Sequence, residues 1–336
     1  MTCKVSVVIP AHNNGTSLRA AIESALAQDP PPHEVIIIDD GSTDNTGDVA
    51  RSYGGPVQVL QQENQGQGAA RNAGLAVATG DFVAFLDADD YWLPGFFDAC
   101  LRFLGEHPEA VAVSVGTVIR KWGQPERVWP GDTSNPELHD PQVLENFFAF
   151  WARYDHIRTG TAMIRKRVID AAGMQRADLR ISQDLEYWAY VATFGPWGFI
   201  PRALCFGNPL SAIIDRSWLN KYRARRRLCP TVEAWEQRVL PRVPQESLPA
   251  FRQVRGRVAA GYAISKVVAG DLAAARHIIA KYGDDMPNSW FSRAARRANR
   301  LGPLGWSIGC RIVQAREHLK SYLIYRQARR RQGQMV

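Results

Sequence analysis

Short β-branched runs that alternate with helical segments constrain the fold of the first 120 residues. Four such runs lie at residues 5–9, 34–38, 57–60 and 81–86. The segments between them place apolar residues at helical spacing. Near-continuous Val and Ile runs separated by helices are typical of parallel strands that are covered on both faces. The pattern therefore predicts an α/β fold around a parallel sheet, in which Pro10 stops the first strand.

Polar residues follow three of these runs. They are Pro10-Ala11-His12-Asn13, Asp39-Asp40 and Asp87-Ala88-Asp89. Ligands of open α/β sheets bind outside the carboxyl ends of the strands. The sequence therefore places its polar and acidic residues where this fold would bind a ligand.

The triplet Asp87-Ala88-Asp89 brings two carboxylates to the end of the fourth run. Residues i and i+2 of an extended chain point to the same side, so the two carboxylates repel unless a cation lies between them. A hard divalent cation that binds one or two carboxylates and the phosphates of a substrate satisfies this arrangement. The alternative is a solvated acidic turn or a helix cap.

Residues 39–44, Asp-Asp-Gly-Ser-Thr-Asp, have two interpretations. In the first, Gly41 turns the chain and one of residues 42–44 caps the next helix. Capping does not explain two successive acids at a strand end. In the second, a carboxylate at this position accepts a hydrogen bond from the N–H of a base.

Residues 64–74 form a glycine-rich segment that contains Arg71. Glycines allow a ligand to approach the backbone closely. The segment does not fit G-x-G-x-x-G, and no Walker G-K-[ST] occurs in the chain, which argues against dinucleotide-binding and P-loop functions. Arg71 either offers a fork of donors to a diphosphate or forms a surface salt bridge.

Taken together, four segments resemble family 2 glycosyltransferases of the GT-A fold. They are residues 5–13, 39–44, 64–74 and 86–90, and their order and spacing match across residues 3–100 and more loosely to residue 215. The resemblance implies inverting, metal-dependent transfer of a sugar from a nucleotide-diphosphate donor, expected to be UDP-linked. The implied acceptor is a saccharide or lipid-linked saccharide in polysaccharide or glycan biosynthesis. The alternative is a non-catalytic nucleotide-sugar-binding scaffold of a membrane complex.

The resemblance also implies roles for individual residues. Asp184 is expected to be the catalytic base, and Mn²⁺ or Mg²⁺ is expected at Asp89 and Asp87. The residues expected to bind the donor are Pro10 and Ala11 beside the nucleoside, Asp40 at the base edge, Arg71 near the nucleotide, and Asp87, Ala88 and Asp89 at the ribose and diphosphate.

Two departures from the family pattern bear on the mechanism. Gln183 precedes Asp184 where the family usually has Glu, and an Arg that the family often has further along is missing. Asp184 therefore has a second interpretation, as a capping residue of a helix over residues 183–194. The Q-x-x-R-W motif of processive members is absent from the sequence, which favours addition of a single sugar.

The C-terminal part of the chain predicts a different organisation. Residues 1–215 are expected to form the transferase domain and residues 216–336 a helical region, with a hairpin over residues 245–282 that turns near Gly270-Asp271. From residue 291 onward, eleven Lys and Arg stand against one acid, whereas the rest of the chain has a net charge of −2. The tail also carries an apolar stripe. It therefore lies on an anionic membrane surface, packs on the protein body or binds nucleic acid.

Composition limits the remaining classes. No apolar stretch reaches ~18 residues without a charge, and the N-terminus lacks the layout of a signal peptide. We therefore expect a cytoplasmic protein, either free or peripheral on the inner face of the membrane. The five cysteines are scattered without a C-x-x-C pair, which argues against a zinc site and a disulfide framework. A nucleic-acid partner is not expected, since no known binding module is recognisable.

Overall fold

The structure is a computed structural model that describes residues 3–119, 126–130, 138–207, 224 and 226–300, with seven separate positions between 305 and 319. The chain divides into two compact units. Unit 1 comprises residues 1–178 and 183–211, and unit 2 comprises residues 179–182 and 212–336. Residue 215 lies outside the described residues, so the predicted domain boundary there stays a prediction.

Unit 1 is built around one mixed sheet. Its strands within the described residues are β1 Val5–Ala11, β2 Glu34–Asp40, β3 Val57–Gln62, β4 Phe82–Phe85, β5 Tyr91–Trp92, β6 Ala112–Ile119, β7 Arg127–Trp129, β8 Gln142–Val143, β9 Ala162–Arg165 and β10 Trp197–Gly207. The strand order is β3-β2-β1-β4-β9-β6-β10-β5, with β7 paired to β6 and β8 to β10. The predicted α/β class is confirmed.

Helices connect and cover these strands. In unit 1 they are α1 Leu18–Leu26, α2 Thr46–Arg51, α3 Gln67–Val77, α4 Phe96–Glu106, α5 Phe147–Tyr154, α6 Lys166–Ala172 and α7 Gln183–Val191. In unit 2 they are α8 Val232–Glu236, α9 Leu248–Ala269, α10 Leu272–Tyr282 and α11 Trp290–Arg300. The predicted helical C-terminal region is confirmed by α8 to α11. Among the described residues, no helix is both long enough and apolar enough to cross a membrane.

The parallel sheet predicted from the β-branched runs is confirmed for β3, β2, β1 and β4. Every residue of β1 and β2 is buried, as expected for strands covered on both faces. Pro10 does not stop β1, which continues to Ala11. The Val8 backbone oxygen accepts a hydrogen bond from the Leu86 N–H on the β4 side. The backbone nitrogen of Pro10, two residues later, faces the same side. The β4 pairing has ended there, so the missing N–H of Pro10 removes no ladder bond.

The other half of the sheet departs from the prediction. Strand β9 is antiparallel to both of its neighbours, β4 and β6, whereas β10 is parallel to β6. The apolar pattern of a short strand does not encode its direction. The direction depends on which edge of the sheet the preceding segment reaches before the strand begins. Strand β10 was not predicted at all. Its register shifts between Ile200 and Ala203, because Pro201-Arg202 interrupts the apolar run.

The helical hairpin of unit 2 turns where the sequence predicts. Gly270 ends α9 with a φ of 87°, a left-handed conformation that favours glycine. Asp271 begins α10, and its side chain accepts a hydrogen bond from the Ala274 N–H. A buried cluster supports this unit. Within it, Arg255 is paired with Glu236 at 2.9 Å and with Asp285.

Glu233 gives unit 2 a pH-dependent contact. Burial raises the pKa of its carboxyl, but hydrogen bonds from Lys281 Nζ at 2.8 Å and Tyr282 Oη at 2.9 Å outweigh burial and lower it to about 2. A pKa lowered by folding adds stability above the unfolded value of 4.5, and this is lost as pH falls toward 2. Because Glu233 is 39% exposed, we expect no more than ~1 kcal/mol.

We predict that Glu233→Gln lowers the free energy of unfolding at pH 7 and that its difference from wild type disappears between pH 4.5 and 2. Urea unfolding across this pH range measures the difference. Glu246→Gln, at an exposed position of the same unit, is the control. A deficit of Glu233→Gln that stays constant across the range would contradict the assignment.

Candidate functional site

The parallel strands of unit 1 bring the predicted site residues to one edge of the sheet. Ala11 at the end of β1 is opposite Asp39 of β2, and Val8 of β1 is opposite Phe85 at the end of β4. The carboxyl ends of β1, β2 and β4 therefore meet at this edge. Pro10 and Ala11 are the last two residues of β1 and are both buried.

Asp40 lies at the end of β2 and is 3% exposed. Its carboxylate accepts three hydrogen bonds, from Gln62 Nε2 at 2.7 Å and from the backbone N–H groups of Gln65 and Gly66 at 2.8 Å. Backbone amides that converge on one carboxylate hold the chain that carries them. Asp40 therefore fixes the entry to α3. Its predicted contact with a base edge stays a prediction.

Other polar side chains at the same edge hold the loops beside Asp40. His12 lies at the surface, with Nδ1 2.8 Å from the Asp40 backbone oxygen and 3.0 Å from Asn64 Nδ2. Asp44, one of the three predicted caps, accepts from the backbone N–H of Thr46 at the start of α2. The loops after β1, β2 and β3 are therefore joined by hydrogen bonds.

Arg71 is the buried cation of the site. Its Nη2 lies 2.6 Å from Asp87 Oδ1 and 3.4 Å from Thr159 Oγ1, and its side chain is 1% exposed. The interpretation of Arg71 as a surface salt bridge is therefore wrong, because its guanidinium is buried. Gly74, one turn later, explains the burial. A Cβ at Gly74 would lie 2.5 Å from Val8 Cγ1, so only glycine lets α3 approach β1 this closely.

The Arg71 guanidinium has unused donors. Its Nε and Nη1 have no hydrogen-bond partner within the described part of the chain. Such an arrangement is costly unless another group supplies an acceptor. Thr159 was not singled out in the sequence, because a threonine 88 positions from Arg71 carries no local signal of this contact.

The triplet after β4 forms a tight turn, so the prediction that an extended chain places Asp87 and Asp89 on the same side is wrong. The Asp90 N–H donates to the Asp87 backbone oxygen at 3.0 Å, while Ala88 is buried and Asp87 and Asp89 are half-buried. Asp87 is 26% exposed, and only its Oδ1 is paired with Arg71. Its Oδ2 has no hydrogen-bond donor in the described residues and remains available as a ligand.

The carboxylates fit a divalent cation that is shared with a substrate. Within the described residues, no group of three or more His, Cys, Asp or Glu side chains is arranged to hold a metal. Mg²⁺ is usually bound through one or two carboxylates together with substrate phosphates, and not by an all-protein cage. Metal binding by Asp87 and Asp89 would need no third protein carboxylate, and it stays a prediction.

Asp184 lies half-buried in the first turn of α7, where its Oδ1 is 2.9 Å from the Leu185 N–H. Asp184 and Trp188 lie one turn apart on the same face of this helix. The Trp188 ring contacts Phe85, the last residue of β4, with a centroid distance of 5.7 Å. The face of α7 that carries Asp184 and Trp188 therefore contacts the end of β4 through Trp188.

Helix α7 is also held against α3. A Cβ at Gly68 would lie 3.3 Å from Gln183 Cγ, so the first turn of α7 approaches the first turn of α3 closely. Glu186 on α7 is fully buried. Asp184 is therefore the carboxylate in this turn that a bound acceptor can reach, within the described part of the chain.

Comparison with known proteins agrees with this geometry. The family model described as glycosyl transferase family 2 matches residues 6–172. The teichuronic acid biosynthesis glycosyltransferase TuaG of Bacillus subtilis, a putative assignment, is 31% identical over 55% of this chain and 70% of its own length. The uncharacterized glycosyltransferase YibD of Escherichia coli is 33% identical over 56% of this chain and 53% of its own length.

Coverage of the relatives is partial. The uncharacterized glycosyltransferase alr2836 of Nostoc is 50% identical over 27% of this chain and 30% of its own length. The chain thus spans about half or less of the length of YibD and alr2836.

Solved structures support the fold. The crystal structure of Staphylococcus aureus TarS 1-349 has a TM-score of 0.52 and 17% identity, covering 85% of this chain and 93% of that one. Identity this low supports similarity of fold only. The family model matches residues 6–172, and this chain covers 70% of TuaG at 31% identity. Together with the mixed sheet and the polar residues at one of its edges, these matches show that the chain belongs to glycosyl transferase family 2.

Proposed function

We propose that this chain transfers a single sugar from a UDP-linked donor to a saccharide or lipid-linked saccharide acceptor, with inversion at the anomeric carbon. The observation that supports it most is the ion pair of the buried Arg71 with the partly exposed Asp87; Gly68 of the same helix as Arg71 lies close to Gln183 in the first turn of α7. The pair offers a nucleotide sugar a cation with unused donors and a carboxylate, to which the proposal adds Asp89 and the candidate base Asp184. TarS has been solved with UDP and with UDP-GlcNAc, which favours a uridine donor for this related fold.

In the proposed reaction, the catalytic base acts on one side of the donor sugar and the diphosphate leaves from the other. Asp184 accepts the proton of the attacking acceptor hydroxyl, whose oxygen forms the new bond to the anomeric carbon. The bond from that carbon to the diphosphate oxygen breaks, and the electron pair leaves with the diphosphate. Arg71 holds Asp87 in place, and Asp40 fixes the loop that leads to Arg71. General-base assistance of this kind contributes roughly 10²–10⁴-fold.

Asp89 and Asp87 are the residues that would hold Mn²⁺ or Mg²⁺. When bound there, the cation supplies Lewis-acid stabilisation of the charge that develops on the leaving diphosphate.

We predict that EDTA abolishes sugar transfer and that Mn²⁺ or Mg²⁺ restores it. Asp89→Ala is expected to remove transfer even with metal present, because a single carboxylate remains. Release of UDP from a panel of UDP-sugars that begins with UDP-GlcNAc is the measurement, and Asp98→Ala on the surface of α4 is the control. Full transfer by wild type in EDTA would overturn metal dependence. UDP-sugar binding without turnover under every condition would favour the scaffold.

We also propose that the basic tail attaches the protein to an anionic membrane surface on the cytoplasmic side. Eleven Lys and Arg follow residue 290, seven of them after residue 301, and each basic residue near such a surface contributes about 1 kcal/mol. Most of the tail lies outside the described residues. A chain ending at residue 301 is expected to stay in solution when the 336-residue chain sediments with vesicles containing phosphatidylserine. Equal sedimentation of both would contradict the proposal.

A further inference from the structure

A cavity of about 450 Å³ lies in unit 1 beside β7, apart from the edge that carries the triplet. It is lined by residues 127–130, Leu138 and residues 153–154, and we call it the β7 cavity. Its size falls in the range of small-molecule sites, which are mostly apolar with a few charged groups that fix orientation. None of the residues discussed so far as donor-binding or catalytic lines it.

The described lining of the β7 cavity is positively charged. Arg127 and Arg153 both line it and are exposed, and its described lining contains no acidic residue. The Arg127 guanidinium has no acid partner within the described ranges of the chain. Arginine presents a planar fork that matches carboxylate and phosphate groups. The chemistry of the cavity therefore favours an anion.

The aromatic groups of the β7 cavity are held in place. Trp129 is 37% exposed, while its Nε1 donates to the Asp155 backbone oxygen at 3.0 Å. Tyr154 contacts the Phe150 ring at a centroid distance of 4.6 Å. Rings fixed in this way offer large contact areas with little loss of conformational entropy on binding. A flat, partly exposed ring suits the apolar face of a sugar.

A short segment joins the β7 cavity to the proposed active site. Asp155 accepts from Trp129, and Thr159, four residues later, lies 3.4 Å from Arg71 Nη2. Four residues span at most ~14 Å even when fully extended. The Asp155 and Thr159 backbones therefore lie within the length of a short oligosaccharide of each other.

We propose that the β7 cavity binds an acceptor saccharide that carries an anionic group, a carboxylate or a phosphate. Arg127 and Arg153 hold the anion, and Trp129 packs on an adjacent sugar ring. The assignment rests on the proposed transferase function, because it gives that site its class of acceptor. Single-stranded nucleic acid also combines anions with stackable rings, but it is usually bound along an extended basic groove, whereas the described lining of the β7 cavity holds two arginines.

Calorimetry on the full-length protein tests this proposal with four probes: tetragalacturonate, phosphorylated maltotetraose, neutral maltotetraose and a thymidine tetranucleotide. We expect one of the two anionic saccharides to bind at least tenfold more tightly than neutral maltotetraose, and the better one identifies the anion as carboxylate or phosphate. Arg127→Gln combined with Arg153→Gln is expected to weaken that binding by roughly tenfold to a hundredfold, the range for hydrogen bonds to charged groups. Arg102→Gln, an exposed arginine on α4, is the matched control.

Equal binding of all three saccharides, or equal losses in the double variant and the control, would overturn the proposal. Tighter binding of the tetranucleotide than of either anionic saccharide would also overturn it. A UDP titration of the wild type tests the donor site separately from the β7 cavity. Absence of UDP binding overturns the proposed donor site, whereas loss of anion preference overturns only the role of the β7 cavity.

Discussion

Asp87→Ala is expected to lower the free energy of unfolding by about 3–5 kcal/mol, the cost of leaving a buried charge without its partner. Arg71 is 1% exposed and Asp87 is its ionic partner at 2.6 Å. Removal of Asp87 strands the guanidinium away from water. Arg71→Leu is expected to be less costly, because Asp87 is 26% exposed and water can reach it. The double variant Arg71→Leu/Asp87→Ala should therefore be more stable than Asp87→Ala alone.

Urea unfolding of the three variants measures these differences. The control is Asp48→Ala, which breaks the 3.0 Å ion pair with Arg51 on the surface of α2, where both side chains are more than half exposed. Exposed pairs contribute 0–1 kcal/mol, so this change should have little effect. A double variant no more stable than Asp87→Ala would show that the buried cation is not the source of the loss.

Asp184→Asn is expected to lower the kcat of sugar transfer by roughly 10²–10⁴-fold, because asparagine keeps the shape of the side chain but cannot accept the acceptor's proton. The affinity for UDP should stay close to that of wild type, since Asp184 lies on α7 and not in the loops that Asp40 and Arg71 fix. A capping role predicts the opposite result, as asparagine is a good residue at a helix start.

The matched control is Asp98→Asn, which makes the same change in the first turn of α4. Loss of a first-turn carboxylate costs ~0.3–1 kcal/mol of helix stability in both variants, so melting temperatures should change alike. Transfer rates, UDP affinity by calorimetry and melting temperature are measured on both. Near-wild-type turnover of Asp184→Asn would contradict the role of this residue as the base.

The charge arrangement explains why the Asp40 and Asp87 carboxylates are not equivalent. Asp40 is saturated by three donors from the chain itself, whereas Asp87 keeps one oxygen free of donors. A carboxylate that already accepts several hydrogen bonds positions its surroundings. One with an open oxygen can still take a ligand. Asp40 therefore holds a loop in place, whereas Asp87 is a candidate ligand, although both lie at the carboxyl ends of parallel strands at the same edge of the sheet.

The sequence determined the parts of this protein that depend on local pattern. The β-branched runs gave β1 to β4, and the polar residues after them marked the edge where the site lies, because the period of a strand and the chemistry of a turn are properties of neighbouring residues. Only the tertiary structure decided that β9 runs antiparallel, that Asp40 anchors the entry to α3, and that Arg71 is buried between Asp87 and Thr159. The Arg71 contacts join residues 16 and 88 positions apart, and no local pattern encodes a pairing over such distances.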